Sequence, residues 1–207
     1  MKEISYIILG WLLGLLSPPI VSRIERYFKR KGLKVAIFSD LKNLIVRLSI
    51  TCYGIQMHLG CEDKSTLQWL KTIYEKYCPT RARALEAINE LLNVPPEQFN
   101  EIASFTKSDA NTSLSLKTCS MPFIESVLEQ LSVFDSKFQA NIFEIRSQLS
   151  ILNQEIEEAV FYHRLTFDSL CMDTNANVIK NNLKNSYNHI QERCKIVVDK
   201  VDKVLEN

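Results

Sequence analysis

Six cysteines and three histidines carry most of the reactive chemistry available to this 207-residue chain, and their spacing argues against its use. Cys52, Cys61, Cys78, Cys119, Cys171 and Cys194 form no C-x-x-C pair. Cys52, Cys171 and Cys194 fall on or beside apolar helical stripes, where a free thiol serves as a small buried hydrophobe. In a reducing compartment all six are expected to stay unpaired. His58-x-x-Cys61 is the one local spacing that suits zinc, with Cys52 or Cys78 to complete a tetrahedral set. No second C-x-x-C or H-x-x-C supports it, so the expectation is a helix-terminal histidine followed by a loop cysteine.

His163 and His189 are expected to face one another near the end of a helical hairpin. Neither belongs to a Glu-x-x-His pair, so the di-iron bundle signature is absent. Glu155, Glu157 and Glu158 cluster near Arg164 and read as a solvated face, because a carboxylate pair for acid and base work needs burial or a charge partner. The chain contains no P-loop, G-x-G-x-x-G, H-E-x-x-H or G-x-S-x-G. No arginine precedes a histidine at the Arg-x(4–6)-His spacing of helical ribonucleases. No catalytic residue, cofactor or metal ligand is therefore assigned, and the reading leans away from an enzyme.

What must be positioned, then, is a surface. Ile4 to Val21 is an eighteen-residue run without a charged side chain. As a helix it reaches about 27 Å, near the roughly 30 Å thickness of a bilayer core. Directly after it stand Arg23, Arg26, Lys29, Arg30, Lys31 and Lys34, opposed only by Glu25. Residues 1 to 58 hold nine Lys/Arg against three Asp/Glu, so the net charge of +1 conceals +6 followed by −5. The positive-inside rule predicts a single-pass anchor in the inner or plasma membrane, with the N-terminus out and the body cytoplasmic. A cleaved signal peptide is not expected, because Leu15-Leu16-Ser17-Pro18-Pro19 offers no small-residue cleavage site.

Two features would act within or beside that anchor. Gly10-x-x-x-Gly14 offers a close-approach face for self-association. Arg23, Arg26, Lys29, Arg30, Lys31 and Lys34 could clamp anionic lipid and hold Tyr27 and Phe28 against the leaflet. Nucleic acid is an unfavoured partner, since the rest of the body is acidic and lacks a reader motif.

The elements that carry these features read as helical throughout. Pro18 and Pro19 should end or kink a helix at Ser17, which could cap a continuation starting at Pro18. Ile37, Leu41, Leu44, Ile45, Leu48, Cys52 and Ile55 step by three and four towards a stop at Leu59-Gly60, with Gly32 a local break. Ser65-x-x-Gln68 reads as a capping box, Cys78-Pro79 as a stop, Thr80 as the next cap, and Val94-Pro95-Pro96 as a further helix start. Lys107 to Lys117 lacks a period and reads as a linker. From Ser120 and Pro122 the apolar stripe Ile124 to Val160 averages 3.6 residues per step, predicting one nearly straight helix of some 45 residues. Asp173 to Asn177 should break it, and Ile179 to Val204 should fold back antiparallel.

The predicted fold is all-α: an N-terminal transmembrane helix (1–22), a basic juxtamembrane segment and amphipathic helix (23–58), short helices and a linker (59–116), and a long αα-hairpin (117–207). The exposed hairpin seam needs a cover, either the helix from Ile37 to Ile55, the shorter helices or another subunit. The expected function is that of a membrane-anchored scaffold whose seam holds a protein partner. An oligomerising, membrane-perturbing effector of the defence or toxin type is the alternative.

Overall fold

A computed structural model describes the backbone of residues 2–61, 63–106, 114 and 116–206, and their side chains apart from those of 2–10, 12, 13, 15–17 and 169–174. The chain is all-helical, with no strand among the described residues. Helix α1, Lys2–Leu59, spans 58 residues, about 87 Å at 1.5 Å per residue. It runs through both prolines, correcting the expected boundary at Ser17. A proline withdraws a hydrogen-bond donor from the ladder, but its φ is itself helical. Gly32 does not break the helix either, because Leu33 and Ile37 on the next turn are already fixed in the core.

The end of α1 is where the sequence placed it. Gly60 has φ 64°, its N–H donates to Met57 O at 3.0 Å, and Cys61 N–H donates to Gln56 O at 3.1 Å. This is a Schellman closure, in which glycine takes the left-handed position at no steric cost.

Helix α2, Lys64–Tyr77, begins one cap earlier than the Ser65 box: Asp63 accepts from Thr66 N–H at 2.6 Å and from the Ser65 hydroxyl at 2.5 Å. Gln56 Nε2 also donates to Asp63 at 3.2 Å, so one carboxylate caps α2 and closes its corner with α1. Helix α3, Ala82–Asn93, starts after Arg81 rather than Thr80, without a side-chain cap. Helix α4, Pro96–Thr106, opens on Pro96 as expected. The predicted linker lies largely outside the described residues. Its Leu114 and Leu116 pack against the core, and Cys119 just beyond is pinned through both backbone groups to Asn153, each bond 2.8 Å.

The single 45-residue helix is corrected to three pieces: α5, Pro122–Ser126, a 3₁₀ turn over Leu128–Val133, and α6, Ser136–Leu165. Ser120 is not the cap. Asp40 of α1 accepts the N–H groups of Phe123 and Ile124, each at 3.1 Å. At the second break Phe134 turns extended, Asp135 accepts Phe138 N–H at 2.9 Å and Gln139 Nε2 donates to Phe134 O at 2.8 Å. The apolar period survives these breaks because Ile124, Val127, Leu131 and Phe134 still face the core.

Helix α7, Ser169–Glu206, leaves helical geometry only at Asn175. The break expected over Asp173–Asn177 is corrected: the chain turns earlier, at 166–168, where Thr166 and Phe167 N–H donate to His163 and Arg164 O at 3.1 Å, and Asn175 is only a kink within α7. Beyond it, α7 returns antiparallel along α6, as predicted, with Lys200 bonded to Glu144 and His189 Nδ1 3.6 Å from Glu155. The seam is covered in cis. Ile37, Leu41, Leu44, Ile45, Leu48, Cys52 and Ile55 are all buried against α7 and its neighbours. The seam is therefore filled by α1 and does not stand open to a partner.

Among the described residues no helix is long and apolar enough to cross a membrane, so the expected span over Ile4–Val21 gains no support from the fold. Most side chains of that run lie outside the described residues.

Candidate functional site

The side chains that sequence spacing nominated for chemistry are placed structurally. His58 packs its ring edge against Tyr187, 5.4 Å between centroids, and Cys61 turns its thiol to Gln56 O at 3.8 Å. Among the described residues no group of three metal-binding side chains forms. His163 and His189 do not face one another. The hairpin register places His189 beside Glu155, whereas His163 stacks edge-on to Phe167 at 5.0 Å and lies near His58.

Cys52, Cys119 and Cys194 are buried on three different segments that converge in the core. Burial pushes Cys52 up to about 11 and raises Cys119 and Cys194 as well. A thiol held protonated is a poor nucleophile and a poor metal ligand. These three are packing residues. Cys171 lies outside the described side chains.

One polar cluster is well formed without resembling a catalytic site. Lys76 Nζ meets Asp202 Oδ1 at 2.7 Å and Glu206 Oε1 at 2.6 Å, while the Tyr77 hydroxyl donates to the same Asp202. Burial, reinforced by Asp202, pushes Tyr77 up to about 12. Burial opposes ionisation of Asp202, but Lys76 and Tyr77 hold its carboxyl below the usual range. The cluster ties the end of α2 to the end of α7.

The feature left unpaired by the bundle is the first half of α1. Among the described side chains of α1 the first buried one is Leu33; those before it are exposed, Ser22 alone being half-buried. The helix therefore leaves the bundle as an arm about 45 Å long. Ile20, Val21, Ile24, Tyr27, Phe28 and Val35 are each between 49% and 67% exposed, and Trp11 is 66% exposed. A Cβ built on Gly14 would meet nothing within 4 Å, so its face is unused by this chain. Gly10 lies outside the described side chains.

The structure divides the six cations of the arm. Arg30 turns towards the bundle, 3.4 Å from Asp135 and 5.6 Å over the Phe134 ring. Lys34 lies 4.9 Å over the Phe38 ring. Arg30 and Lys34, with Phe134, Asp135, Lys137 and Asn141, line a cleft of about 270 Å³ at the root of the arm. Arg23, Arg26, Lys29 and Lys31 extend from the exposed part. Backbone bonding draws an amide of α6 to Asp135 and keeps its carboxyl low, with Arg30 a lesser contributor.

Sequence spacing picked out Tyr27 and Phe28 but missed that Ile20, Ile24 and Val35 share their exposure. A signal exists. The apolar stripe from Ile20 to Phe28 lies on the side of the helix opposite the stripe from Leu33 to Ile55, and that change of phase marks where one surface ends and another begins.

The chain matches no protein family, no curated protein and no solved structure. Its functional reading rests on its own residues.

Proposed function

We propose that the chain is a membrane-anchored helical scaffold, held by its N-terminal arm with the bundle on the cytoplasmic side. The observation that supports this is the arm itself, which carries a charge-free apolar run beyond the bundle and exposes apolar side chains along its described part. Water disfavours such a surface by about 25 cal/mol for each Å² left exposed, whereas a bilayer accepts it. The basic residues from Arg23 to Lys34 set the orientation, because a cationic flank resists translocation. Since α1 already fills the hairpin seam, protein partners of the scaffold must bind the outer faces of the helices. Chemistry is not assigned.

Fractionation of cells expressing the full chain tests the anchor. The protein is expected in the membrane pellet after alkaline carbonate extraction. Replacing Trp11→Lys together with Gly14→Lys, each costing about 2.5–3.5 kcal/mol at the centre of a span, should release it. An impermeant maleimide should label the exposed Cys61 only after lysis. Recovery of the unaltered chain in the soluble fraction overturns the reading.

A further inference from the structure

We propose that Ile20–Val35 is an interfacial helix that seats on anionic phospholipid, a second membrane contact distinct from the apolar run and resting on the anchored reading above. At 3.6 residues per turn Ile20, Ile24, Phe28 and Val35 stack along one side of α1, with Val21 and Tyr27 beside them. All six are exposed. The opposite side carries Leu33 and Ile37 into the bundle core. The bundle therefore sits behind the apolar stripe and leaves it unobstructed.

The chemistry of the occupant follows from charge. Between Arg23 and Lys34 six cations face a single acid, Glu25, and they occupy the flanks and back of the stripe, with Lys31 within it. An apolar face with aromatic residues and a Lys/Arg-rich polar face is the pattern of a helix lying in the headgroup layer. Arg30 and Lys34 are engaged with Asp135, Phe134 and Phe38, which holds the bundle on the aqueous side. Of the remaining four, Arg23 and Lys31 flank the stripe or lie within it and meet phosphate directly, while Arg26 and Lys29, further round the helix, add to its attraction by the anionic surface. A second copy of the chain is a poorer occupant, because pairing two such stripes would bury the Lys31 ammonium of each copy in an apolar seam.

Pro18 and Pro19 mark the point at which α1 can change direction on the membrane. They withdraw the donors that would reach the carbonyls of Gly14 and Leu15, so the ladder bends there at least cost. The apolar run can enter the bilayer while the following turns lie along its surface.

Vesicle binding by the full chain decides the matter, using phosphatidylcholine alone and phosphatidylcholine mixed with phosphatidylglycerol. Each cation near an anionic surface is worth about a fivefold change in affinity. The triple replacement Arg23→Gln, Arg26→Gln, Lys29→Gln should therefore lose on the order of 100-fold in affinity for the mixed vesicles, leave binding to phosphatidylcholine unchanged, and keep the bundle's thermal transition. Equal binding of the unaltered chain to both vesicles overturns the proposal but spares the anchor. Failure to bind either overturns both. If Ile24→Ser with Phe28→Ser lowers the protein's mass in detergent micelles and not its lipid affinity, the stripe is a contact between copies and the proposal falls.

Discussion

His58 illustrates how a residue of reactive type becomes structural. It ends α1 against Tyr187, and burial first, then nearby His163, hold its pKa below the ordinary 6.5. The folded state thus prefers the neutral ring, while the unfolded chain binds a proton more readily. The stability this contributes is fully present above about pH 6.5 and is lost as pH falls below it. The urea midpoint should drop between about pH 7 and pH 5, and the drop should be shallower in His58→Gln. Parallel pH profiles for the two proteins would show that His58 is not the group concerned. Cys52 and Cys194 were legible from their place on apolar stripes, whereas the burial of Cys119, on no stripe, was not. The distance between His163 and His189 was not, because it depends on hairpin register, which one residue of slip along either helix changes.

At the scale of elements, boundaries set by local chemistry were readable and those set at a distance were not. Gly60 ends α1 through its own backbone freedom, and Pro96 opens α4 with a φ already fitted to a helix. The start of α5 depends instead on Asp40, more than eighty residues earlier, which takes the place assigned to Ser120. No window around Pro122 contains that carboxylate. Asp40→Ala should cost about 0.5–2 kcal/mol in urea unfolding, as for other caps, whereas Ser120→Ala should stay within about 0.5 kcal/mol of the unaltered protein. The reverse order would restore the local cap. The predicted 45-residue helix failed for a related reason: a 3.6-residue stripe reports which positions face the core, and the 3₁₀ turn and Phe134 keep facing it after the helix has broken.

For the whole molecule, the decisive event is the docking of α1 along α7, the returning helix of the hairpin. It makes one helix serve two surfaces, a buried one from Leu33 onward and an exposed one before it. Leu48→Ala, at a fully buried position of the seam, should destabilise the fold by about 2–5 kcal/mol, while Phe28→Ala on the arm should leave the unfolding midpoint unchanged. A matching loss in Phe28→Ala would mean that the arm packs on the bundle after all. Sequence by itself determined the helical class, the hairpin, the end of α1 and the partition into a greasy, basic N-terminal segment and an acidic body, because periodicity, glycine conformation and charge are properties of neighbours along the chain. Only the tertiary structure decided what covers the seam, which cations turn back to the bundle and where long helices break. Apolar burial is non-directional, so a stripe states that a face must be covered without naming its cover.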